Sequence, residues 1–294
     1  MVFYGSLSAL LPVFYVIKLN GLPISQKPCS IICNIAGAHR QNSDNILTFA
    51  PIFKSMQKVV FQDLGLMDYQ VAWDYQQLRH KELIDNKMNN RELQKEAKPM
   101  QPQRHYLLFC EHPPVYTLGK SGSMDNLLLS ASELESQGFQ FYKINRGGDI
   151  TYHGPGQIVG YPIFDLDEFF TDIHRYVRYL EEVVILTLAA YGLQGIREEG
   201  YTGVWLEASE QLPKRKICAI GVHLSRWVTL HGFAFNINTQ LDHFHNIVPC
   251  GINEPDKDVT SLAKELGHQV PITEVKLLLK RFFAEKFDFE YSDL

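Results

Sequence analysis

Residues 146–157 read RGGDITYHGPGQ, a stretch in which glycine or proline fills five of the twelve positions. Its large side chains include Arg146, Tyr152 and His153. Because glycine lets the backbone approach a bound group closely, the stretch predicts main-chain amides that face a ligand, with these three side chains at the rim. Apolar residues alternate on either side, so we interpret it as a loop held between two strands. A tight structural hairpin is the alternative, because glycine and proline mark turns in many proteins.

Composition limits the classes of protein to consider. The chain has 294 residues, of which 45% are hydrophobic and 21% are charged, so it is long enough to bury a globular core. Its formal net charge of -5 does not attract a phosphate backbone, and no basic stripe interleaved with aromatic residues is present. We therefore expect no nucleic-acid partner.

The cysteine content indicates a reducing compartment. Five cysteines form an odd set without a C-x-x-C pair. A disulfide framework is therefore not expected, and a cytoplasmic location is predicted. Residues 1–16 are mostly apolar, but this run is too short to span a bilayer and follows no Lys or Arg, so no membrane partner is expected either.

Residues 1–55 differ from the rest of the chain. Residues 19–54 scatter Gly, Pro, Ser, Asn and Cys without helical or strand periodicity, which predicts poor order. Regular patterning begins just after Met56. We therefore divide the chain into an N-terminal extension, residues 1–55, that is dispensable for function, and a folded domain, residues 56–294.

Hydrophobic periodicity predicts strands and helices in mixed order after Met56. Strands are predicted at residues 59–61, 106–110, 204–207, 216–223 and 231–238. Helices are predicted at residues 64–79, 172–191, 259–266 and 275–287, with an exposed linker in the second half of residues 81–103. Because the strands cluster instead of alternating strictly with helices, the pattern predicts an α+β fold with a mixed sheet and surrounding helices.

Two side chains are candidates for covalent chemistry. Cys250 stands in a P-C-G segment, where a thiol is reachable and can have free backbone amides nearby; a buried cysteine that only fills space is the alternative. Lys216 opens an apolar strand, where partial desolvation would lower the pKa of its amine and let it act as a base. The alternative for Lys216 is a strand end whose ammonium stays in water.

A metal site is a weaker hypothesis. His243 and His245 would share one face of a strand, and Cys250, His223 and His231 are conceivable further ligands. No H-E-x-x-H motif, no C-x-x-C pair and no phosphate-binding P-loop accompanies them. We therefore predict no metal site and no nucleotide loop.

Five motifs in order resemble those of the LipB-type octanoyltransferases, the lipoyl(octanoyl) transferase family. They are EHPPVYTLG at 111–119, RGG and TYHGPGQ within 146–157, KI and IGV within 216–222, HG with Ala234 and Asn236 within 231–236, and PCGI at 249–252. The resemblance covers roughly residues 56–287, and five motifs together are far more specific than any one of them.

The resemblance implies a fold like the catalytic domain shared by biotin and lipoate protein ligases. It implies that Cys250 carries the acyl group as a thioester and that Lys216 lowers the pKa of its thiol. It also implies a channel for the acyl group and pantetheine that is lined by Arg146, Gly147, Gly148, Asp149, Ile150, Thr151, Tyr152, His153, Ala219, Ile220, Gly221, Gly232, Phe233 and Ala234. His153 is expected to bind or orient the substrate, or else to stabilise its loop by hydrogen bonding.

The resemblance further implies the reaction and its partners. An octanoyl or lipoyl group would leave its thioester on acyl carrier protein and form an amide on a specific lysine of a lipoyl domain or of the glycine cleavage H protein. No cofactor is expected, because thioester to amide transfer runs downhill, and a monomer is expected. Two alternatives stay open, namely an ATP-dependent lipoate or biotin protein ligase and a domain that binds acylated proteins without catalysis.

Overall fold

A large mixed sheet and a small second sheet carry the described part of the chain. The computed structural model describes residues 56–249 and 256–293, and both ranges belong to one compact unit. The strands are β1 (Gln57–Leu66), β2 (His105–Glu111), β3 (Val115–Leu118), β4 (Gln140–Lys143), β5 (Ile150–His153), β6 (Gln157–Ile163), β7 (Gly195–Ile196), β8 (Val204–Leu206), β9 (Lys214–Ser225), β10 (Val228–Asn236), β11 (Lys257–Val259) and β12 (Phe289–Ser292). The α-helices are α1 (Tyr69–Lys95), α2 (Ala131–Ser136), α3 (Ile173–Ala190), α4 (Leu262–Leu266) and α5 (Ile272–Phe287).

The large sheet has the strand order β12-β1-β2-β6-β10-β9-β8-β7, with β11 pairing with β9 as well. Strand β1 runs parallel to β12 and to β2, whereas β2, β6, β10, β9 and β8 follow one another in antiparallel pairs. The sheet is therefore mixed, which confirms the predicted α+β class.

Helices cover both faces of this sheet. Along β2, Leu107 and Phe109 pack into the core formed with α3 and α5, and Leu108 and Cys110 pack into the core formed with α1. Successive residues of a strand point to opposite faces, so a strand that is apolar at nearly every position needs a cover on each side. Strands β6 and β10 are consequently buried at every position and form a floor for the site.

The small sheet has the order β4-β3-β5, with β3 parallel to β4 and antiparallel to β5. Strand β5 lies inside residues 146–157. The prediction that this whole stretch is one loop between two strands is therefore wrong, because Ile150–His153 pairs along β3. The glycines on either side of β5 stand outside the strands, as predicted for loop residues.

Most of the other predicted elements are confirmed, and three helix boundaries are wrong: both ends of helix 64–79 and the start of helix 259–266. Helix α3 begins at the cap Asp172, whose side chain accepts from Arg175 N, and ends before Gly192. The predicted helix 64–79 starts too early, because β1 continues to Leu66 and Asp68 caps α1. Helix α1 then runs to Lys95, through residues that were predicted to include the start of a linker.

The predicted helix 259–266 also starts too early. Strand β11 ends at Val259, and Ser261 caps the short helix α4 that follows. Residues 1–55 lie outside the described residues, so their division from the folded domain stays a prediction. Within residues 56–249 and 256–293, no helix is both long enough and apolar enough to cross a membrane.

Candidate active site

A cavity of about 320 Å³ lies between strand β5 of the small sheet and strands β9 and β10 of the large one. Three separate predicted segments meet at this cavity, namely residues 146–153, 219–221 and 232–234. Nearly all of their residues line it. The predicted residues in its wall are Arg146, Gly147, Gly148, Asp149, Ile150, Thr151, His153, Lys216, Ala219, Ile220, Gly221, Gly232, Phe233 and Ala234. Their part in substrate binding stays a prediction.

The backbone around Gly147 closes tightly on strand β9. Gly147 N donates a 2.9 Å hydrogen bond to Val222 O, and a Cβ added at Gly221 would lie 2.7 Å from Gly147 O. Gly148 has a φ of +88°, a conformation that side-chain-bearing residues rarely adopt. Glycine is thus required at position 148 on one side of this contact and at position 221 on the other. The contact joins the segment before β5 of the small sheet to strand β9 in the wall of the cavity.

Arg146 is buried and fixed to the protein frame. Its Nη2 donates to Thr117 O at 2.7 Å and to Thr117 Oγ1 at 3.1 Å, and its Nη1 donates to Gly147 O at 3.1 Å. A planar guanidinium can satisfy several acceptors at fixed angles. The cavity therefore has a positively charged wall of set geometry.

His153 is held at both ring nitrogens. Its Nδ1 lies 2.8 Å from Gln157 Oε1, and its Nε2 lies 3.3 Å from Thr117 Oγ1. Burial, with the nearby His112 ring, lowers the pKa of His153 to about 3. The ring is therefore neutral near pH 7, and its two nitrogens are already used in hydrogen bonds within the protein. This arrangement suits an orienting residue better than a proton carrier.

His231 has an unusual backbone for a strand residue. Its φ is +62° within β10, and its Nε2 lies 2.7 Å from Asn145 Oδ1. Burial, together with the charge of Arg146, lowers its pKa to about 3. Like His153, it is a neutral ring in the cavity wall. Its place in the wall was not predicted from the sequence, although the H-G motif that contains it was noted.

Tyr152 is the one residue of the segment 146–153 that does not line the cavity. It is buried on the other side of β5, where it packs against Tyr116 and Phe244. Its hydroxyl lies 2.7 Å from His243 Nδ1. Successive strand residues face opposite ways, so Tyr152 does not share the face of Thr151 and His153; Ile150, on the same face as Tyr152, still lines the cavity at the start of the strand.

Lys216 lies where β9 changes neighbours. Its backbone pairs with Trp205 of β8 on one side and with Val259 of β11 on the other. The half-buried side chain lines the cavity and places Nζ 4.6 Å from the centre of the Trp205 ring. Lys216 is therefore not at the solvated end of the strand, which begins two residues earlier at Lys214.

Cys250 lies outside the described residues. Pro249, which precedes it directly, lines the same cavity as Lys216. Two further cysteines, Cys110 and Cys218, are fully buried free thiols, and burial raises the pKa of both. Neither buried thiol is available as a nucleophile, as their positions within predicted strands indicated.

The histidines weighed as metal ligands are arranged differently from the prediction. His243 and His245 lie on the 3₁₀ helix Leu241–Asn246, so they do not share a strand face. In the described ranges, no three His, Cys, Asp or Glu side chains come together as a possible metal site.

Several residues of the cavity wall had no clear local signal in the sequence. Tyr69 on α1, Val159 and Tyr161 on β6, and Val177 on α3 read as ordinary core residues. They reach the cavity because strands and helices distant in sequence become neighbours. Gln157 and Asn236 also line it, and both stand in motifs that the sequence had already singled out.

Comparison with known proteins finds one family. A family model for the lipoyl protein ligase A/B catalytic domain matches residues 68–284. The octanoyltransferase of Christiangramia forsetii is 56% identical over 235 residues, which cover 80% of this chain and 97% of that protein. The octanoyltransferase of Flavobacterium johnsoniae is 55% identical over 235 residues, with coverage of 80% and 98%.

Among solved structures, a bi-partite lipoate protein ligase from Thermoplasma acidophilum superposes with a TM-score of 0.54. The alignment covers 81% of this chain and 86% of that chain at 17% sequence identity. A likeness at this identity concerns the fold alone, and it confirms the predicted similarity to lipoate protein ligases.

Proposed function

The chain belongs to the lipoyl protein ligase A/B catalytic-domain family, and we infer that it is an octanoyltransferase, an acyltransferase of protein lipoylation. The observation that carries this inference is identity above 50% with octanoyltransferases over nearly their whole length. The cavity agrees with such a reaction, because it joins a half-buried lysine, a fixed guanidinium and an apolar floor in one space.

We propose that Cys250 and Lys216 carry the chemistry. The Cys250 thiol gives its proton to Lys216, and the thiolate attacks the octanoyl thioester carbonyl. Lys216 hands this proton to the departing pantetheine sulfur of the donor, and an octanoyl thioester remains on Cys250. An acceptor lysine amine then attacks this thioester, gives a proton to Lys216 and forms the amide, and Lys216 returns the proton to the departing Cys250 sulfur. Support comes from Lys216 in the cavity wall and from Pro249, which lines the same cavity and directly precedes Cys250 in sequence.

Residues of the cavity wall would hold the acyl group and pantetheine. Gly147 and Gly148 keep the backbone close to the space, and Arg146 supplies a fixed positive charge. The apolar part of the wall, which includes Ile220, Phe233 and Ala234, suits a hydrocarbon chain. The oxyanion of each tetrahedral intermediate would be stabilised by backbone amides of this wall.

The proposed donor is octanoyl-acyl carrier protein. The proposed acceptors are lipoyl domains of lipoate-dependent enzymes and the glycine cleavage H protein, as the family resemblance implies. A monomer in the cytoplasm is the proposed working form.

An ATP-dependent ligase is the second candidate, because a lipoate protein ligase shares the fold. The two functions differ in what they consume. The test supplies a lipoyl domain with either octanoyl-acyl carrier protein alone or octanoic acid with ATP. We expect octanoylation of the lipoyl domain in the first mixture. Octanoylation in the second mixture only would reject the transferase in favour of the ligase.

A further inference from the structure

Asn236 joins two walls of the cavity through both ends of its side-chain amide. It is the last residue of β10, is 4% exposed and lines the cavity. Its Nδ2 donates to Thr260 O at 3.0 Å, and its Oδ1 accepts from Gln157 Nε2 at 2.9 Å. A buried amide with donor and acceptor both used is held in one orientation.

The main-chain carbonyls of Thr260 and Tyr152 set the direction of a longer chain of hydrogen bonds. A carbonyl only accepts, so Asn236 must turn its NH₂ group toward Thr260 and its oxygen toward Gln157. Gln157 Nε2 donates to Asn236 Oδ1 and also to Tyr152 O at 3.2 Å, so Gln157 offers its own oxygen to His153 and the ring proton of His153 lies on Nδ1. The free lone pair on His153 Nε2 accepts from the hydroxyl of Thr117, which also accepts from Arg146.

Thr260 is also hydrogen-bonded to β9, the strand that contains Lys216. Thr260 N donates to Lys216 O at 2.9 Å, directly after the parallel pairing of Val259 with Lys216. Asn236 is thus two hydrogen bonds away from the Lys216 backbone and two away from the His153 ring. No other side chain of the described ranges is shown bonding to both Thr260 O and Gln157.

We propose that Asn236 is a positioning residue for acyl transfer: through Thr260 it fixes the backbone of Lys216, and together with the carbonyl of Tyr152 it holds the Gln157 amide that fixes the ring of His153. The proposal rests on the proposed octanoyltransferase function. A base must lie within hydrogen-bond reach of the proton that it takes. Under the proposal, the buried amide of Asn236 keeps Lys216 within that reach. Small misplacements of such a group lower the rate strongly.

Asn238 offers a matched control on the same segment. Its Nδ2 donates to Val270 O at 2.8 Å and its Oδ1 accepts from Val270 N at 3.0 Å. Asn238, two residues beyond Asn236, therefore also holds a main-chain segment through both ends of its side-chain amide. Unlike Asn236, it does not line the cavity. A merely structural role for Asn236 predicts the same behaviour at both positions.

The experiment compares the full chain with Asn236→Ala, Asn236→Leu, Asn238→Ala and Asn238→Leu. Leucine keeps most of the side-chain volume, whereas alanine leaves room for a water molecule at the freed carbonyl. Each protein is assayed for octanoyl transfer from acyl carrier protein to a lipoyl domain without ATP. The protonated ring nitrogen of His153 is followed by ¹⁵N NMR, and melting temperatures report folding.

We expect kcat to fall about 10- to 100-fold in the Asn236 variants, with the KM for the donor unchanged. The His153 signals should change from a single Nδ1–H tautomer to a mixture. The Asn238 variants should keep wild-type kcat and the single tautomer at a similar loss of melting temperature. Wild-type kcat in a folded Asn236 variant would overturn the proposal.

Two other results would also overturn it. One is an equal fall in kcat at Asn238, and the other is failure of both Asn236 variants to fold while the Asn238 variants fold. Each would mean that Asn236 has only a structural role. Absence of ATP-independent transfer in the wild type would instead reject the proposed function, whatever the variants do.

Discussion

Lys216 places its Nζ 4.6 Å from the centre of the Trp205 ring, its direct neighbour across strands β9 and β8. The indole ring packs against the end of the lysine side chain, so this contact holds the amine at the wall of the cavity. The lysine that the sequence singled out is therefore positioned by the sheet itself.

Replacement of Lys216 tests its proposed role as a base. We expect Lys216→Ala to lower kcat by about 10²- to 10⁴-fold, the range for a lost general base. Lys214→Ala is the control, since Lys214 lies on the same strand but is paired with Glu198 at 2.6 Å and does not line the cavity. Near-wild-type turnover by Lys216→Ala, measured as octanoyl transfer to a lipoyl domain, would refute the role.

The close contact between β9 and the Gly147 turn predicts a steric effect. In Gly221→Ala, the new Cβ would lie 2.7 Å from Gly147 O and 3.0 Å from Arg146 Cδ, so the wall must shift. We expect a loss of about 1–3 kcal/mol in the free energy of unfolding and a clear loss of transfer activity. Urea denaturation and the transfer assay measure the two effects. A variant as stable and as active as the wild type would show that the contact is not tight.

The buried histidines predict how stability depends on pH. Burial lowers the pKa of His153 to about 3 and that of His112 to about 4, from an ordinary value of 6.5. At a pH between the lowered pKa and the ordinary pKa of 6.5, the unfolded chain binds more protons than the folded one. Stability is therefore lost as the pH falls below about 6.5. Each group contributes a slope of up to about 1.4 kcal/mol per pH unit.

The variant His153→Gln removes one of these groups. We expect its free energy of unfolding to fall less steeply than that of the wild type between about pH 6 and pH 4. Urea denaturation at several pH values measures both slopes. Identical slopes would mean that His153 titrates normally in the folded protein and is not held neutral.

Helix α1 predicts a contrast between two ion pairs. Lys87 is 6% exposed and contacts Asp165 Oδ1 at 2.6 Å, whereas Lys81 pairs with Asp85 on the solvent face of the same helix. Lys87→Met leaves a buried carboxylate without its cation and should cost about 3–5 kcal/mol in the free energy of unfolding. Lys81→Met should change little. Equal effects in thermal or urea unfolding would contradict the assignment of Lys87 as a buried partner.

Strands β1, β2, β8, β9 and β10 of the large sheet were predictable because their apolar periodicity is local, whereas the short strands β7, β11 and β12 were not predicted. The second half of α1 was not, since its buried residues Leu83, Ile84 and Lys87 stand among charged and Asn residues that resemble a linker. Lys87 is buried where it meets Asp165, two residues after β6, together with Asp167 and the main-chain carbonyl of Arg226, all of them far away in sequence. Tertiary contacts thus decided the length of the helix.

The sequence predicted which segments form the site, but it did not predict which way each side chain points. Glycine-rich motifs indicated where backbones come close, as Gly147 and Gly221 do. Tyr152 was placed at the rim because the stretch was interpreted as a loop, and it was assigned to the channel with its neighbours because the family resemblance implied it. Strand alternation, applied to Ile150–His153, would have separated Tyr152 from Thr151 and His153. The contributions of Tyr69 and Val177 depend on helix packing, which no local pattern encodes.

The most direct test of the account is the intact mass of the protein after incubation with octanoyl-acyl carrier protein in the absence of ATP. Wild type, Cys250→Ala and Cys110→Ala are compared, since Cys110 is a buried thiol outside the cavity. We predict an octanoyl adduct on wild type and Cys110→Ala that a lipoyl domain discharges, and none on Cys250→Ala. An adduct that persists in Cys250→Ala, or no adduct on wild type, would contradict the acyl-enzyme mechanism.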